Sequence, residues 1–274
     1  MLGAIIGDIV GSRFEFHNLK SKDFELFSPD CFFTDDSVMT LAIAQAILDT
    51  VKAHGTLEPD NAEHFYQQLA SAAVKNMQAF GRSYPSCGYG ARFAKWLDSS
   101  DPRPYQSYGN GAAMRVSPAG LAARTEAEAM RLAEAVTAVT HNHPEGIKGA
   151  QATAVAVFLL RRGVSKADVR ERISCDFYPL DFTIDAIRPS YNFHVSCQSS
   201  VPQAIQCYLE SQSFEDALRI AVSLGGDSDT IAAIAGSLAE ADYGIPADIR
   251  TAALPYLDDK LCCVLDEWQE VMCR

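Results

Sequence analysis

The sequence predicts an all-α protein, folded as a single compact domain of about a dozen helices over residues 1–274. Apolar residues recur with helical period along most of the chain, while alternating β-branched stretches are scarce. The length of 274 residues is enough to bury a large core. Two polar clusters that open apolar helices lie near opposite ends of the chain, which favours one domain over two.

The first predicted helix carries a stripe of small residues. Gly3, Gly7 and Gly11 recur at every fourth position, so one helical face is smooth enough for close packing against a neighbour. Asp8 is predicted to interrupt this helix. Residues 20–33 and 177–200 are predicted to be irregular. The predicted helices span residues 2–10, 38–51, 61–80, 91–97, 112–115, 125–139, 145–162, 166–173, 202–210, 214–224, 231–241, a segment opened by Pro246, and 260–272.

Composition and charge exclude several classes of partner. The formal net charge is −12 and no run of Lys or Arg stands out, so a nucleic-acid backbone or an anionic membrane would be repelled. Eight cysteines contain no C-x-x-C pair and are typical of reduced thiols. The apolar start is too short for a signal peptide, and no apolar run reaches membrane-spanning length. We therefore expect a cytoplasmic protein, working as a monomer.

Two acidic clusters are the strongest chemical signal in the sequence. Thr-Asp-Asp-Ser at 34–37 and Gly-Gly-Asp-Ser-Asp-Thr at 225–230 each precede an apolar helix. Helix capping is the simpler explanation, because short polar side chains accept the free N–H groups of a first turn. A cap needs one such side chain, however, and four aspartates lying together would need positive charge. A pair of hard divalent cations such as Mg²⁺, Mn²⁺ or Ca²⁺ suits these oxygen ligands, whereas zinc favours His or Cys.

A glycine-containing loop, Ser-Tyr-Gly-Asn-Gly at 107–111, is a second candidate site. Its glycines allow backbone N–H groups to face a ligand, and a helical turn follows, which is a geometry that binds phosphate. The third glycine of a dinucleotide fingerprint is absent and no strand precedes the loop.

Arg115 is predicted to form a structural ion pair rather than to bind phosphate. Without a functional role, Glu15 would be a solvated carboxylate, and His141 would cap a helix or pack in a loop.

Several segments taken together resemble the ADP-ribosylglycohydrolase family. The resemblance extends over residues 1–244 in the family's order, and is therefore more specific than any one motif. It is carried by Gly-Ala-Ile-Ile-Gly-Asp at 3–8 with Gly11 and Glu15, by the acidic clusters 34–37 and 225–230, by residues 107–115, and by Thr140-His141.

This resemblance implies an orthogonal helical bundle with a dinuclear metal site in a cleft. It implies a hydrolase that cleaves the bond at C1 of the distal ribose and releases ADP-ribose from a protein side chain or small acceptor. The implied ligands of two Mg²⁺ (or Mn²⁺) are Thr34, Asp35, Asp36, Asp227, Asp229 and Thr230. The implied substrate contacts are Ser107, Tyr108, Gly109, Asn110 and Gly111 at the diphosphate, with His141 beside the distal ribose.

The sequence leaves the finer chemistry open. Asp36 and Glu15 are both candidates for proton transfer, and the family's matching glutamate is a metal or gating ligand. Tyr89 and Tyr108 either pack in the fold or stack on adenine. A non-catalytic ADP-ribose-binding protein is one alternative, but no metal-site carboxylate is lost. A two-metal phosphoesterase is another, but its His-rich ligand sets are missing. Among acceptors, arginine is preferred over serine.

Overall fold

The prediction of an all-α fold is confirmed. The structure is a computed structural model that describes residues 1–54 and 62–272, so the predicted helix start at Asn61 lies outside the described residues. The described residues form no strand, and an isolated antiparallel bridge joins Gly109 to Ser196. The helices are α1 Leu2–Gly11, α2 Asp35–His54, α3 Ala62–Ser83, α4 Ala91–Leu97, α5 Gly111–Met114, α6 Ser117–Ala122, α7 Glu126–Thr137, α8 Pro144–Arg161, α9 Lys166–Asp176, α10 Ile184–Ile187, α11 Cys197–Glu210, α12 Phe214–Leu224, α13 Ser228–Tyr243, α14 Ala247–Ala253 and α15 Asp259–Met272, with 3₁₀ turns at Ser12–Phe14 and Leu254–Tyr256.

Helix α13 lies at the centre of the fold. Every residue from Ser228 to Ala239 is buried, because its sequence is apolar or small on all faces. Helices α1, α8, α11 and α12 pack around it. The first turn of α13 carries one of the two acidic clusters, so the centre of the core also fixes that cluster in place. Across the described parts of the chain, no helix is both long and apolar enough to cross a membrane.

The predicted glycine stripe is where α1 packs against α13. A Cβ atom added at Gly7 would lie 2.0 Å from the carbonyl oxygen of Ala232, and one at Gly3 would lie 2.3 Å from that of Gly236. Such distances are far below van der Waals contact. The two helix backbones therefore touch, and any side chain at these positions would separate them.

Several capping residues mark where helices begin. The side chains of Thr125, Ser165, Thr183 and Ser213 each accept a hydrogen bond from the backbone N–H three residues later. These bonds satisfy donors that have no partner within the helix. Local sequence is therefore sufficient to start α7, α9, α10 and α12.

Three predictions about helix boundaries are wrong. Asp8 does not interrupt α1, because its buried carboxylate accepts hydrogen bonds from another segment. Helices α2 and α13 begin three residues earlier than predicted, so the acidic clusters form their first turns. The segment 177–200 contains α10 and the start of α11, and Pro202 lies inside α11 rather than opening it. A proline at a helix start is the common pattern, and here tertiary packing overrides it.

We predict that Gly7→Ala lowers the free energy of unfolding by about 3 kcal/mol, because the added methyl group overpacks a backbone contact. Gly90→Ala is the matched control, since nothing lies within 4 Å of its added Cβ and its backbone suits alanine. It should change stability by less than about 1 kcal/mol. Urea denaturation of both variants checks this. Equal stabilities would show that α1 and α13 have room between them.

Candidate active site

Asp8 organises the first acidic cluster. Its buried carboxylate accepts hydrogen bonds from the backbone N–H groups of Thr34 (2.9 Å) and Ser37 (3.0 Å). It also accepts from the hydroxyl groups of Thr34 (2.7 Å) and Ser37. Asp8 on α1 therefore holds the start of α2 in a fixed position.

The second cluster is positioned by a glycine turn. Gly225 and Gly226 have φ angles of 74° and 77°, a left-handed conformation that side chains rarely adopt. The side-chain oxygen of Asn18 accepts the N–H of Gly226, and Lys20 Nζ donates to the carbonyls of Leu224 (2.6 Å) and Tyr191 (2.7 Å). The segment that follows Glu15 therefore anchors the turn that presents Asp227 and Asp229.

The two clusters meet in one buried group of carboxylates. Ligand atoms of Glu15, Asp227 and Asp229 all lie within 4.8 Å of one another. Thr230 Oγ1 donates to Asp36 Oδ2 (3.1 Å), and this hydrogen bond connects the first turns of α2 and α13. Asp36, Asp227, Asp229 and Thr230 are buried, while Glu15 and Asp35 are half-buried.

Burial and mutual repulsion raise the pKa values of these carboxyl groups. Burial is the main cause at Glu15, whose pKa rises to about 7 with a further contribution from Asp227. The pKa of Asp35 rises to about 8 because of burial and then the charges of Asp8 and Asp227. The pKa values of Asp36 and Asp229 rise well above their usual range for the same reasons. The group therefore holds protons near neutral pH unless a cation replaces them.

The residues present fit a hard divalent cation. Among the described residues, no Lys, Arg or His forms an ion pair with Glu15, Asp35, Asp36, Asp227 or Asp229. Asp36 Oδ1 is buried and has no hydrogen-bond partner in the part of the chain that the structure describes. Oxygen-only ligand sets of this kind suit Mg²⁺, Mn²⁺ or Ca²⁺.

Helix capping accounts for little of this group of carboxylates, since Asp229 Oδ1 alone accepts a first-turn N–H, that of Thr230 (2.9 Å), among the described residues. Asp227 is the N-cap residue of α13, yet its side chain makes no capping hydrogen bond. At α2, the hydroxyl of Thr34 accepts the N–H of Asp36 (3.3 Å), and Asp8 accepts the N–H groups of Thr34 and Ser37. The first-turn donors are therefore satisfied without the carboxylates of Asp35 and Asp36.

The acidic group lies in the wall of a cavity of about 650 Å³. This volume is within the range of roughly 300–1,000 Å³ that is usual for small-molecule sites. The predicted site residues that line it are Glu15, Thr34, Asp35, Asp36, Ser107, Gly109, Asn110, Gly111, His141, Asp227, Asp229 and Thr230. Tyr108 is not part of this lining, and its half-exposed ring packs at 5.1 Å from that of His143.

Asn110 connects the glycine loop to the acidic group. Its side-chain amide donates to Asp227 Oδ2 (2.7 Å) and to the hydroxyl of Ser200 (3.2 Å). Its backbone N–H donates to the carbonyl of Val195 (2.8 Å). Asn110 therefore orients a carboxylate of the cluster.

His141 presents one defined nitrogen to the cavity. Arg115 Nη2 donates to Thr140 Oγ1 (2.7 Å) and lies 3.4 Å from His141 Nδ1, and Thr140 Oγ1 lies 2.7 Å from the same nitrogen. Because a guanidinium group can only donate, we assign Nδ1 as an acceptor and place the ring proton on Nε2. Burial, followed by the charges of Arg115 and Arg92, lowers the pKa of His141 well below its usual range. The neutral ring therefore offers an Nε2–H donor beneath the glycine loop.

The ion pair predicted for Arg115 is absent. Within residues 1–54 and 62–272, no carboxylate oxygen lies within 4.0 Å of its guanidinium group, although its side chain is buried. The ring of Phe93 lies 5.5 Å from it, and the charge of Asp35 partly offsets the burial that lowers its pKa to about 10. The hydroxyl of Thr140, which accepts from Nη2, and the face of Phe93 therefore contact the guanidinium group in place of a carboxylate.

Sequence reasoning missed the residues that position the acidic group. A carboxylate inside an apolar helix is the signal that identifies Asp8, because such a group must find donors elsewhere. Asn18 and Lys20 lie in an irregular segment and have no local signature, since their partners are about 170 to 210 residues away. The inclusion of Glu15 with Asp227 and Asp229 was also not predictable from local pattern.

Comparisons with known proteins agree on a family. The family model described as ADP-ribosylglycohydrolase matches residues 1–271. A solved structure titled "ADP-ribosylglycohydrolase-related protein complex" shares the fold, with a TM-score of 0.67 at 21% identity, covering 99% of this chain and 95% of that one.

Relatives of known name are similar over most of their length. The ADP-ribosyl-[dinitrogen reductase] glycohydrolase of Rhodospirillum rubrum is 29% identical, covering 95% of this chain and 89% of the relative. ADP-ribosylhydrolase ARH3 of Mus musculus is 27% identical (89% and 83%), and ADP-ribosylarginine hydrolase Tri1 of Pseudomonas putida is 25% identical (89% and 70%). The chain therefore belongs to the ADP-ribosylglycohydrolase family, whose members are glycosidic-bond hydrolases.

Proposed function

We propose that this protein is a metal-dependent hydrolase that releases ADP-ribose from a modified protein side chain by cleaving the bond at C1 of the distal ribose. The observation that carries the proposal is a largely buried group of carboxylates, without a cationic partner among the described residues, in the wall of one cavity. Family membership supplies the reaction class and its dependence on metal. We propose two Mg²⁺ or Mn²⁺ ions, held by Thr34, Asp35, Asp36, Asp227, Asp229 and Thr230.

The placement of the substrate follows the cavity lining. The diphosphate lies against the loop Ser107–Gly111, and His141 donates from Nε2 beside the distal ribose. The side-chain amide of Asn110 donates to Asp227 and its backbone N–H donates to Val195. We therefore propose that Asn110 orients the metal site in addition to shaping the loop. When bound, the divalent cations supply positive charge that holds ribose hydroxyl groups and favours hydroxide near neutral pH.

Glu15 is the better of the two candidates for proton transfer. It is half-buried at the cavity and lies outside the proposed set of metal ligands, so its carboxylate remains able to accept a proton from water when the metal ions are bound. Asp36 is buried and already accepts a hydrogen bond from Thr230. Glu15 removes a proton from the attacking water, whose oxygen bonds to C1 as the bond from C1 to the acceptor breaks. The acceptor leaves with the electron pair of that bond and takes up the proton that Glu15 received. The carboxylates nearby stabilise the oxocarbenium-like transition state.

Modified arginine is the acceptor that we propose. One relative is named an ADP-ribosylarginine hydrolase, at 25% identity. Release of intact ADP-ribose separates this activity from a two-metal phosphoesterase, which would yield AMP. Turnover itself separates it from a protein that only binds ADP-ribose.

We predict that Asp35→Asn and Asp229→Asn each reduce hydrolysis of an ADP-ribosylated arginine peptide by at least about 100-fold, because the amide lacks the charge that holds a divalent ion. Metal affinity should fall together with turnover. The metal-free variants should be at least as stable as the parent protein, because each substitution removes one of several crowded, buried carboxyl groups. Calorimetric Mg²⁺ titration and release of ADP-ribose, measured with and without EDTA, check both effects.

Asp248→Asn is the matched control. Asp248 also lies in the first turn of a helix, but it is exposed and is not part of the cavity lining. It should leave turnover within about twofold of the parent protein, because Asn caps a helix about as well as Asp. Near-normal turnover in both cluster variants would contradict the metal site.

The metal-free protein should lose stability as the pH rises from about 5 to about 8. Carboxyl groups of the unfolded chain release their protons near pH 4, whereas those of Glu15 and Asp35 have folded pKa values of about 7 and about 8. The folded state therefore binds more protons over this range, so the free energy of unfolding falls as pH rises. Mg²⁺ competes with these protons, so its affinity rises about tenfold per pH unit for each proton displaced.

Urea denaturation in EDTA across this pH range, with Mg²⁺ titrations at each pH, measures both trends. Asp35→Asn should reduce the slope of both trends with pH, because it removes one of the carboxyl groups whose pKa is raised. A stability in EDTA that stays level or rises from about pH 5 to about pH 8 would contradict the protonated cluster.

A further inference from the structure

The mouth of the cavity carries an unusual concentration of exposed apolar side chains. Phe16, Phe32, Phe193 and Val195 line the cavity and are 75%, 54%, 44% and 56% exposed. They are four of the seven large hydrophobic side chains that are exposed in the described parts of the chain. Single exposed hydrophobic residues are ordinary, but a cluster beside a cavity indicates a binding surface. We refer to these four residues as the apolar rim.

The apolar rim borders the reaction end of the cavity. Phe16 directly follows Glu15, whose carboxylate belongs to the group formed with Asp227 and Asp229. The ring of Phe16 stacks on that of Phe193, with centroids 5.9 Å apart and an interplanar angle of 25°. Phe32 precedes the first acidic cluster by two residues, and its N–H donates to the hydroxyl of Ser12 (3.2 Å). Three of the four rim residues are therefore tied to the catalytic end by chain or by ring contact.

The chemistry of the proposed substrate leaves two groups that can cover an apolar surface. The two riboses and the diphosphate are polar, so only the adenine and the acceptor remain. The adenine is separated from C1 by the whole diphosphate, while the acceptor is bonded to C1 itself. A rim that begins next to the proposed proton-transfer residue therefore faces the acceptor.

We propose that the apolar rim binds the polypeptide around the modified residue and selects acceptors that carry apolar side chains beside it. This inference rests on the proposed function. Burial of one leucine or phenylalanine side chain against the rim is enough to favour such a peptide by about tenfold or more. The substrate class is thus a modified protein segment with apolar neighbours, rather than a small ADP-ribosyl metabolite.

Two ADP-ribosylated arginine peptides of equal length test the proposal, one with leucine and the other with glycine on both sides of the modified residue. The parent protein with Mg²⁺ should show a kcat/KM at least about tenfold higher for the leucine peptide, mainly through KM. Phe16→Ser and Phe193→Ser should reduce this ratio to below about threefold. Leu254→Ser is the matched control, because Leu254 is 37% exposed and does not line the cavity, and should leave the ratio unchanged.

Each contrary outcome has a distinct meaning. Equal kcat/KM values for the two peptides in the parent protein would overturn this proposal alone. A tenfold loss of ADP-ribose affinity in Phe16→Ser, with the peptide preference intact, would place the rim against the adenine and also overturn it. Failure of the parent protein to hydrolyse either peptide would overturn the proposed function, and this proposal with it.

Discussion

The backbone contact between α1 and α13 is the constraint on which the site depends. Because Gly7 has no side chain, α1 lies directly on the backbone of Ala232, and the next residue, Asp8, reaches the start of α2. The N-terminal turn of α13 is held at the same place by the Gly225–Gly226 turn. Two helix starts that are nearly two hundred residues apart in sequence therefore present their carboxylates to a single cavity.

The same arrangement places a destabilising feature in the core. Asp8 is satisfied by four hydrogen bonds, and burial still raises its pKa to about 6. The carboxylates that we propose as metal ligands have fewer partners, and Asp36 Oδ1 has none among the described residues. Protein cores rarely hold such groups without a compensating function, because an unpaired buried charge costs more than most packing contacts return. The tight glycine packing and the large apolar core around α13 provide the stability that offsets this cost.

Local pattern predicted much of the fold. Helical periodicity identified most helices, and the glycine spacing identified the packed face of α1, because both depend on residues a few positions apart. The two acidic clusters could be recognised because each has more acidic side chains than a cap requires. Long-range partners were not predictable. The ion pair expected for Arg115 is absent from the described residues, the start of α11 was placed at Pro202, and the anchoring by Asn18 and Lys20 joins distant segments.

Anomalous X-ray diffraction from crystals grown with Mn²⁺ tests the metal site without relying on turnover, because it locates the ions themselves. We expect anomalous peaks in the cavity between the first turns of α2 and α13, with oxygens of Asp229 and at least one carboxylate of the 34–37 cluster at about 2.1 Å. Asp8 should make no direct contact with either ion, since its oxygens are occupied by Thr34 and Ser37. A cavity without anomalous peaks at saturating Mn²⁺ would contradict the account.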